Sequence, residues 1–543
     1  MFLIKLHRNK FHFDKRHFSN LVQSEGGGGG DGRIKTVMDN KSNRITRRTE
    51  KGEWESVIGL EVHAQINANS KIFSSAPHQY NSPVNSAVSY FDSSTPGTLP
   101  VLNRRCVEAA VLTSLALDCQ INLVSYFDRK HYFYSDLPAG YQITQQRRAL
   151  AVAGRLEVPV FAADLGREVF TTSSNVIQLQ LEQDSAKSLH DPERGRSLVD
   201  LNRCGAGLME IVFGPDLRHG EEAAALVKEL LLILERLDTC KARMERGEVR
   251  VDANISVRRV GDPELGVRTE VKNINSVRSV ARAVEFEVER QIRILEDGGV
   301  IENQTRSFDN DKKVTVAMRD KEAKQDYRFM PEPNLPPLRL SEENIEQLRV
   351  NLPASPAQLR ARLTSELGLS VLASSQLVAW PSLLEYFNLC CQSGPVSHKE
   401  VASLIFSWVH HISMETNQHP LDIRLTPSLL VEVSNLRQEK VISAGGLQEV
   451  ITRLVAGDDR TVMDIVTDHN LFLIKDRHYI EQFARDVVTN NIQLVEKYRK
   501  EKNPKKCKRT YQSLINMVNK DSRVDNVDMA LFTQILKEML EEK

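Results

Sequence analysis

Between residues 57 and 66, Leu60, Val62 and Ala64 alternate with Glu61, His63 and Gln65. That period of two predicts a strand with one buried and one polar face. Further strands are predicted at 156–161, 176–182, 249–257 and 267–272. Helical periodicity interrupts them at 104–117, 221–237 and 277–295, the last stopping at Gly298-Gly299. Strands and helices in this mixed order predict an α+β domain built on a mixed sheet, not a doubly wound one. Four prolines within 331–337 close that domain, because neither a helix nor an inner strand tolerates them. Beyond it the pattern is helical: 342–350, 356–366, 372–389, 398–412, 427–438, 445–455, 480–498 and 527–542, with a break near Gly445-Gly446. The expected organisation is a leader and linker over 1–51, the α+β domain over 52–340, a helical domain over 341–440 and a helical tail domain over 441–543.

The N-terminus departs from this pattern. Residues 1–24 set Lys5, Arg8, Lys10, Lys15 and Arg16 against the single acid Asp14, interleaved with Phe2, Leu3, Ile4, Leu6, Phe11, Phe13 and Phe18. This is the makeup of a mitochondrial transit peptide, with Arg16-His17-Phe18-Ser19 as a processing site; the alternative is an ordinary disordered basic tail. Residues 25–51 are polar and glycine-rich and read as a flexible linker. Gly27, Gly29 and Gly32 formally satisfy G-x-G-x-x-G, but no strand precedes them and no apolar helix follows, so the match is accidental.

Composition narrows the classes further. Across 543 residues Lys plus Arg and Asp plus Glu are both 72, which excludes a histone-like protein and an acidic disordered chain, while leaving room for local basic patches. No apolar run reaches the ~18 residues of a membrane span. The seven cysteines contain no C-x-x-C pair and read as reduced thiols of an intracellular compartment. P-loop, H-E-x-x-H and G-x-S-x-G motifs are absent, so any ATP is held by other means.

Three clusters carry candidate chemistry. Glu61 and His63 project from the same strand face about 7 Å apart, close enough to meet one divalent cation. Glu182 and Asp184 share a second face. Asp200, Asn202, Arg203 and Glu210 surround a loop containing Gly205 and Gly207. Acids to hold an ion and glycine amides that approach phosphate are what Mg²⁺-phosphate chemistry needs. The alternatives are solvated strand faces and a capped tight turn. Near the C-terminus Lys497, Arg499, Lys500, Lys502, Lys505, Lys506, Lys508 and Arg509 crowd into thirteen residues. Such a stretch suits the phosphates of a folded RNA, or is a solvated interhelical loop.

The segments GLEVHAQ (59–65), TPGTLPVLN (95–103), FDRKHYFYSDLPAGYQITQ (127–145), DLNRCGAGLMEIV (200–212), VDANISVR (251–258), EVKNINS (270–276) and DYRFMPEPNLPP (326–337) resemble the B-subunit family of glutamyl-tRNA(Gln) amidotransferases. The likeness runs in order from about 54 to 337 and continues more weakly through the helical half. It implies a catalytic cradle domain over 52–340 and, with the basic leader, a protein of the mitochondrial matrix. It also implies an ATP- and Mg²⁺-dependent carbon-nitrogen ligase working within a heterotrimer. ATP phosphorylates the γ-carboxylate of glutamate on misacylated Glu-tRNA(Gln), and ammonia from a partner amidase, the A subunit, displaces the phosphate; a small C subunit braces the two. By the same resemblance Glu61, His63, Glu182 and Glu210 are catalytic. The metal lies among Glu61, His63, Asp184 and Glu210, and nucleotide or substrate meets Lys130, Asn202, Arg203 and Gly205. The tail holds tRNA through Lys500, Lys505, Lys506, Lys508 and Arg509.

Two departures stand out. Gln183 replaces the family glutamate expected to touch the metal, and Gly207 replaces a proline. Two other readings therefore stay open. One is a noncatalytic tRNA-binding scaffold whose metal site has decayed. The other is an unrelated carboxylate-metal ligase for a small amino acid, which leaves the basic tail unexplained.

Overall fold

A computed structural model describes residues 34–39, 44–162, 167–318, 327–501, 503–518 and 526–541. The leader expected at 1–24 lies outside these. The chain forms two compact units, Met1–Ala357 and Gln358–Lys543.

The first unit is built on one eleven-stranded sheet. Its strands are β1 (Lys35–Asp39), β2 (Arg44–Thr49), β3 (Gly52–Gln65), β4 (Gln120–Ile121), β8 (Ala151–Ala162), β9 (Arg167–Gln183), β12 (Gly207–Phe213), β13 (Val249–Arg259), β14 (Thr269–Ile274), β15 (Thr305–Asp309) and β16 (Val314–Ala317). Between these in sequence come β5 (Val124–Ser125), β6 (Asp128–His131), β7 (Tyr141–Thr144), β10 (Lys187–Asp191) and β11 (Arg196–Asp200); β17 (Arg328–Pro331) and β18 (Leu338–Arg339) follow. The spatial order is β16-β15-β14-β13-β3-β12-β9-β8-β4, with β2 paired to the first residues of β3 and β1 to β2. Neighbours are antiparallel except β14 and β15, so the sheet is mixed, as the sequence predicts.

Residues 35–39 and 44–49, expected to be linker, are strands of this sheet. Arg47 of β2 is almost fully buried, with its guanidinium on Glu285 at 2.7 Å. Polar strands of this kind gain their place from a specific ion pair and from ladder bonds, neither of which leaves an apolar alternation in the sequence.

β3 runs through the middle. Leu60, Val62 and Ala64 are buried beneath helices α1 (Arg104–Ala116), α2 (Gly220–Arg236) and α3 (Val277–Glu296), which share the same core. α2 opens with a capping box in which His219 accepts from the backbone and Glu222 reaches back. α3 ends just before Gly298, whose φ of +79° reverses the chain at little cost. A small sheet β17-β6-β7 carries Lys130 and Gln142 toward the polar face of the large one, to which Gln142 is tied at β9.

The four prolines of 331–337 do not end the first unit. The helix Glu342–Val350 still packs Ile345 and Leu348 onto its core.

The second unit is helical. One buried cluster runs from Leu359 to Leu471 and a second from Ile480 to Leu540. The Gly445-Gly446 pair lies inside the first cluster: Ser443 caps the helix Ala444–Ala456 there, and Gly446 sits against the Leu471 carbonyl. The change of core therefore falls between 471 and 480, not at 440. Pro381 divides the helix expected at 372–389 into Val371–Ala379 and Pro381–Gln392. The helices Val462–Asp468 and Pro504–Val518 are additions to those the periodicity predicts.

Candidate active site

The polar face of β3 is the floor of the site. Cross-strand register sets Glu210 of β12 opposite His63, and Arg250 and Asp252 of β13 opposite His63 and Glu61. On β9, Gln180 lies opposite Glu210 and Glu182 opposite Leu208. Four adjacent strands thus put their polar residues on one surface, because directly paired residues share a face.

His63 is the junction. Its Nε2 lies 3.5 Å from Glu61 Oε1 and 4.0 Å from Glu210 Oε2. Two groups of ligand atoms lie within 4.8 Å of one another: Glu61, His63 and Asp252; and His63, Glu182 and Glu210. Gln180 Nε2 donates to Glu210 Oε2 at 2.7 Å, and Gln142 Nε2 donates to Glu182 Oε1 at 2.6 Å. Glu182 Oε2, though buried, has no hydrogen-bond partner among the described residues. A buried carboxylate oxygen left this way carries a desolvation cost that a bound cation would relieve.

Electrostatics follow from the crowding. Burial, then the Glu182 and Glu61 charges, raise the Glu210 pKa well above the ordinary carboxylate value. Burial and Asp252 raise that of Glu61. Burial lowers the His63 imidazole to about 4, so it is neutral and able to ligate at physiological pH. Burial opposes the charge on Lys130, but Glu182, Glu210, Tyr327 and Glu61 outweigh it and raise its pKa. The Lys130 ammonium lies 4.8 Å from the centre of the Tyr327 ring, a cation–π geometry.

Other expected residues stand elsewhere. β9 ends at Gln183, and Asp184 turns away to accept from Arg250 at 3.0 Å and from the Ser185 N–H, with Arg203 at 3.6 Å. It belongs to neither ligand group and holds Arg250 in place instead; Glu182 is the carboxylate of that segment that joins His63 and Glu210. Asn202 donates to the Pro83 carbonyl and accepts from the Ala87 N–H, and Arg203 donates to the Ser185 and Ala186 carbonyls. Both tie loops together. Gly205, at φ +81°, permits a turn in which a Cβ would meet Asp92 Oδ1 at 2.7 Å.

Gln183, one residue along from Glu182, lines a separate pocket of about 330 Å³ with Asp92, Thr95, Pro138 and Gly205. Gln183 belongs to neither ligand group. Asp252 and Lys272 are site residues that the sequence reasoning misses. The signal for Asp252 is present, since Val249, Val251, Ala253 and Ile255 alternate with it.

The basic stretch folds as the end of one helix, Ile492–Lys500, and the start of another, Pro504–Val518. Lys506, Lys508 and Arg509 are exposed on the second. Lys500 pairs with Glu496, and Arg499 donates to the Met539 carbonyl. Lys505 lies in the same helix as Lys506; Lys502 is outside the described residues. Among the described residues no helix is long and apolar enough to cross a membrane.

Residues 56–346 match the family model described as the GatB/GatE catalytic domain, and 385–540 match that of the GatB domain. The mitochondrial glutamyl-tRNA(Gln) amidotransferase B subunit of Aedes aegypti is 48% identical over 507 residues, covering 91% of this chain and 94% of the relative. That of Homo sapiens is 46% identical over 514 residues, covering 92% and 90%. The aspartyl/glutamyl-tRNA(Asn/Gln) amidotransferase B subunit of Rickettsia canadensis is 38% identical over 491 residues, covering 90% and 98%.

Proposed function

The chain belongs to the GatB/GatE family, and from that premise we propose that it is the B subunit of a mitochondrial glutamyl-tRNA(Gln) amidotransferase, acting on the aminoacyl end of the misacylated tRNA. The reaction uses ATP to phosphorylate the γ-carboxylate of the tRNA-bound glutamate. Ammonia then attacks the acyl carbon and phosphate leaves, giving Gln-tRNA(Gln). The ammonia comes from a partner amidase, the A subunit, within an assembly that also holds a small C subunit. The setting is the mitochondrial matrix.

The observation that carries this reading is the convergence of His63, Glu182 and Glu210 from three neighbouring strands around a buried carboxylate oxygen that no described residue satisfies. Two carboxylates suit a hard divalent cation such as Mg²⁺, and the neutral imidazole adds a softer nitrogen donor beside them. When bound, the cation offsets charge on the transferring phosphoryl group. The protein's own groups do the positioning. Gln142 fixes one oxygen of Glu182 and Gln180 one of Glu210, so the carboxylates need not reorganise. Lys130, held protonated by the same acids, presents a positive charge to an anionic phosphate or carboxylate. Asp184 orients Arg250 on the same face. The exposed Lys506, Lys508 and Arg509 give the tail a cationic surface for tRNA phosphates.

The test is glutamine-, ATP- and Mg²⁺-dependent conversion of Glu-tRNA(Gln) by the chain assembled with its partner subunits. Glu182→Gln and Glu210→Gln should each lower the rate by about 10²-fold or more with tRNA binding retained. Full activity in both variants would sink the assignment.

A further inference from the structure

The two ligand groups that share His63 are not equivalent. In the His63–Glu182–Glu210 group one buried carboxylate oxygen lacks any partner among the described residues. In the Glu61–His63–Asp252 group one oxygen of Asp252 accepts a backbone hydrogen bond and the other faces an ammonium. Asp252 Oδ1 accepts from the Asn273 N–H at 2.8 Å, and Asp252 Oδ2 lies 3.5 Å from the Lys272 ammonium, which also reaches Glu270 at 3.2 Å.

The backbone is shaped to make this happen. Val251 pairs with Ile274 and Ala253 with Val271, so two steps along β13 face three along β14. The extra residue is a bulge, with Asn273 in the left-handed region at φ +56°. Bulges of this kind re-aim side chains and are favoured beside functional sites. Here the bulge turns the Asn273 N–H out of the ladder and onto Asp252, beside the lysine.

Resting on the cation reading above, we propose that the Lys272 ammonium stands where a second divalent cation would otherwise bind. The Glu61–His63–Asp252 group then stays free of metal, and the face takes one cation, at His63–Glu182–Glu210. A lysine in this place supplies charge compensation without competing for the shared imidazole. Lys272 is thus a positioning residue that sets cation stoichiometry.

Mn²⁺ titration of the assembled full-length enzyme, followed by electron paramagnetic resonance, tests this. Ions are counted relative to the Glu182→Gln/Glu210→Gln double variant, which subtracts sites elsewhere in the assembly. The wild type should bind one Mn²⁺, Lys272→Gln two, the second held by the Glu61 and Asp252 carboxylates because one neutral imidazole ligates a single ion, and Lys272→Arg, which keeps the charge, one. Asp252→Asn should keep the single ion with affinity within about threefold, and it decides the matter should Lys272→Gln not fold. Two ions in the wild type, one in a folded Lys272→Gln, or loss of the ion in Asp252→Asn overturns the proposal. A wild type that binds none overturns the cation reading itself and the proposal with it.

Discussion

At the scale of single residues, the proposed chemistry turns on which protons a cation would have to displace. Burial lowers the His63 pKa to about 4, so near neutral pH its nitrogen is available without deprotonation. Glu210, whose pKa is raised by burial and by Glu182 and Glu61, must first lose a proton. Cation affinity should therefore climb with pH through a range above the ordinary carboxylate value, and binding below the Glu210 pKa should release about one proton. Calorimetry in two buffers of different ionisation enthalpy reads that proton directly; heats independent of the buffer would contradict it. A second residue-scale expectation concerns Gly207. Its Cβ position lies 3.0 Å from Cys106 Sγ and 3.4 Å from Ile66 and Ile72, so this chain pairs a missing side chain with a cysteine. Gly207→Ala should cost about 1–3 kcal/mol by overpacking, and Cys106→Ala should recover part of it in a double-mutant cycle of melting experiments. Sequence makes Glu61, His63 and Glu210 visible, but not the choice between Glu182 and Asp184. That choice depends on where β9 ends and on Arg250, which is 66 positions away from Asp184 and adjacent only after folding.

At the scale of elements, the strands with apolar alternation are legible and those without it are not. Residues 57–66 and 249–257 announce themselves by period; β1 and β2, reading KTVMD and RITRRT, do not. What fixes β2 is Arg47, buried against Glu285 of α3, which also accepts from the Gly220 N–H at 2.6 Å and sits 3.3 Å from His219. Burial works against the Glu285 carboxylate, but Arg47, His219 and Gly220 outweigh it and hold its pKa below the ordinary value. A carboxylate with a depressed folded-state pKa stabilises above its unfolded pKa and loses that contribution as pH falls through the folded one. Glu285→Gln should thus cost about 3–5 kcal/mol near neutrality, because Arg47 is left buried and unpaired, and its penalty should shrink below about pH 4. Denaturant melts at pH values of about 7 and about 3.5 check both; a penalty that does not change with pH would rule the pair out as its source.

At the scale of the whole molecule, the division into a mixed-sheet unit and a helical unit is legible from the shift in periodicity alone. Its boundary is not, because the helix Glu342–Val350 beyond the prolines returns its apolar face to the first core. The tail's basic stretch is legible as charge, and folding adds that Lys506, Lys508 and Arg509 lie on one short helical span. Replacing these three with alanine should weaken tRNA binding and reduce the slope of log affinity against log salt by roughly 2–3, about 0.7–0.9 for each phosphate no longer neutralised. An unchanged slope in filter-binding assays would place the RNA elsewhere. Amidation of Glu-tRNA at saturating tRNA should be little affected, since none of the three belongs to the acidic face of the sheet.

The edge hairpin of β1 and β2 has a consequence for maturation. On the mitochondrial reading proposed above, a peptidase that trims a leader would have to stop before Lys35: a cut inside residues 44–49 would separate the guanidinium paired with Glu285 and the neighbour of the opening stretch of β3 from the rest of the sheet. Proteolytic nicking in that stretch should therefore report on unfolding of the whole sheet's margin.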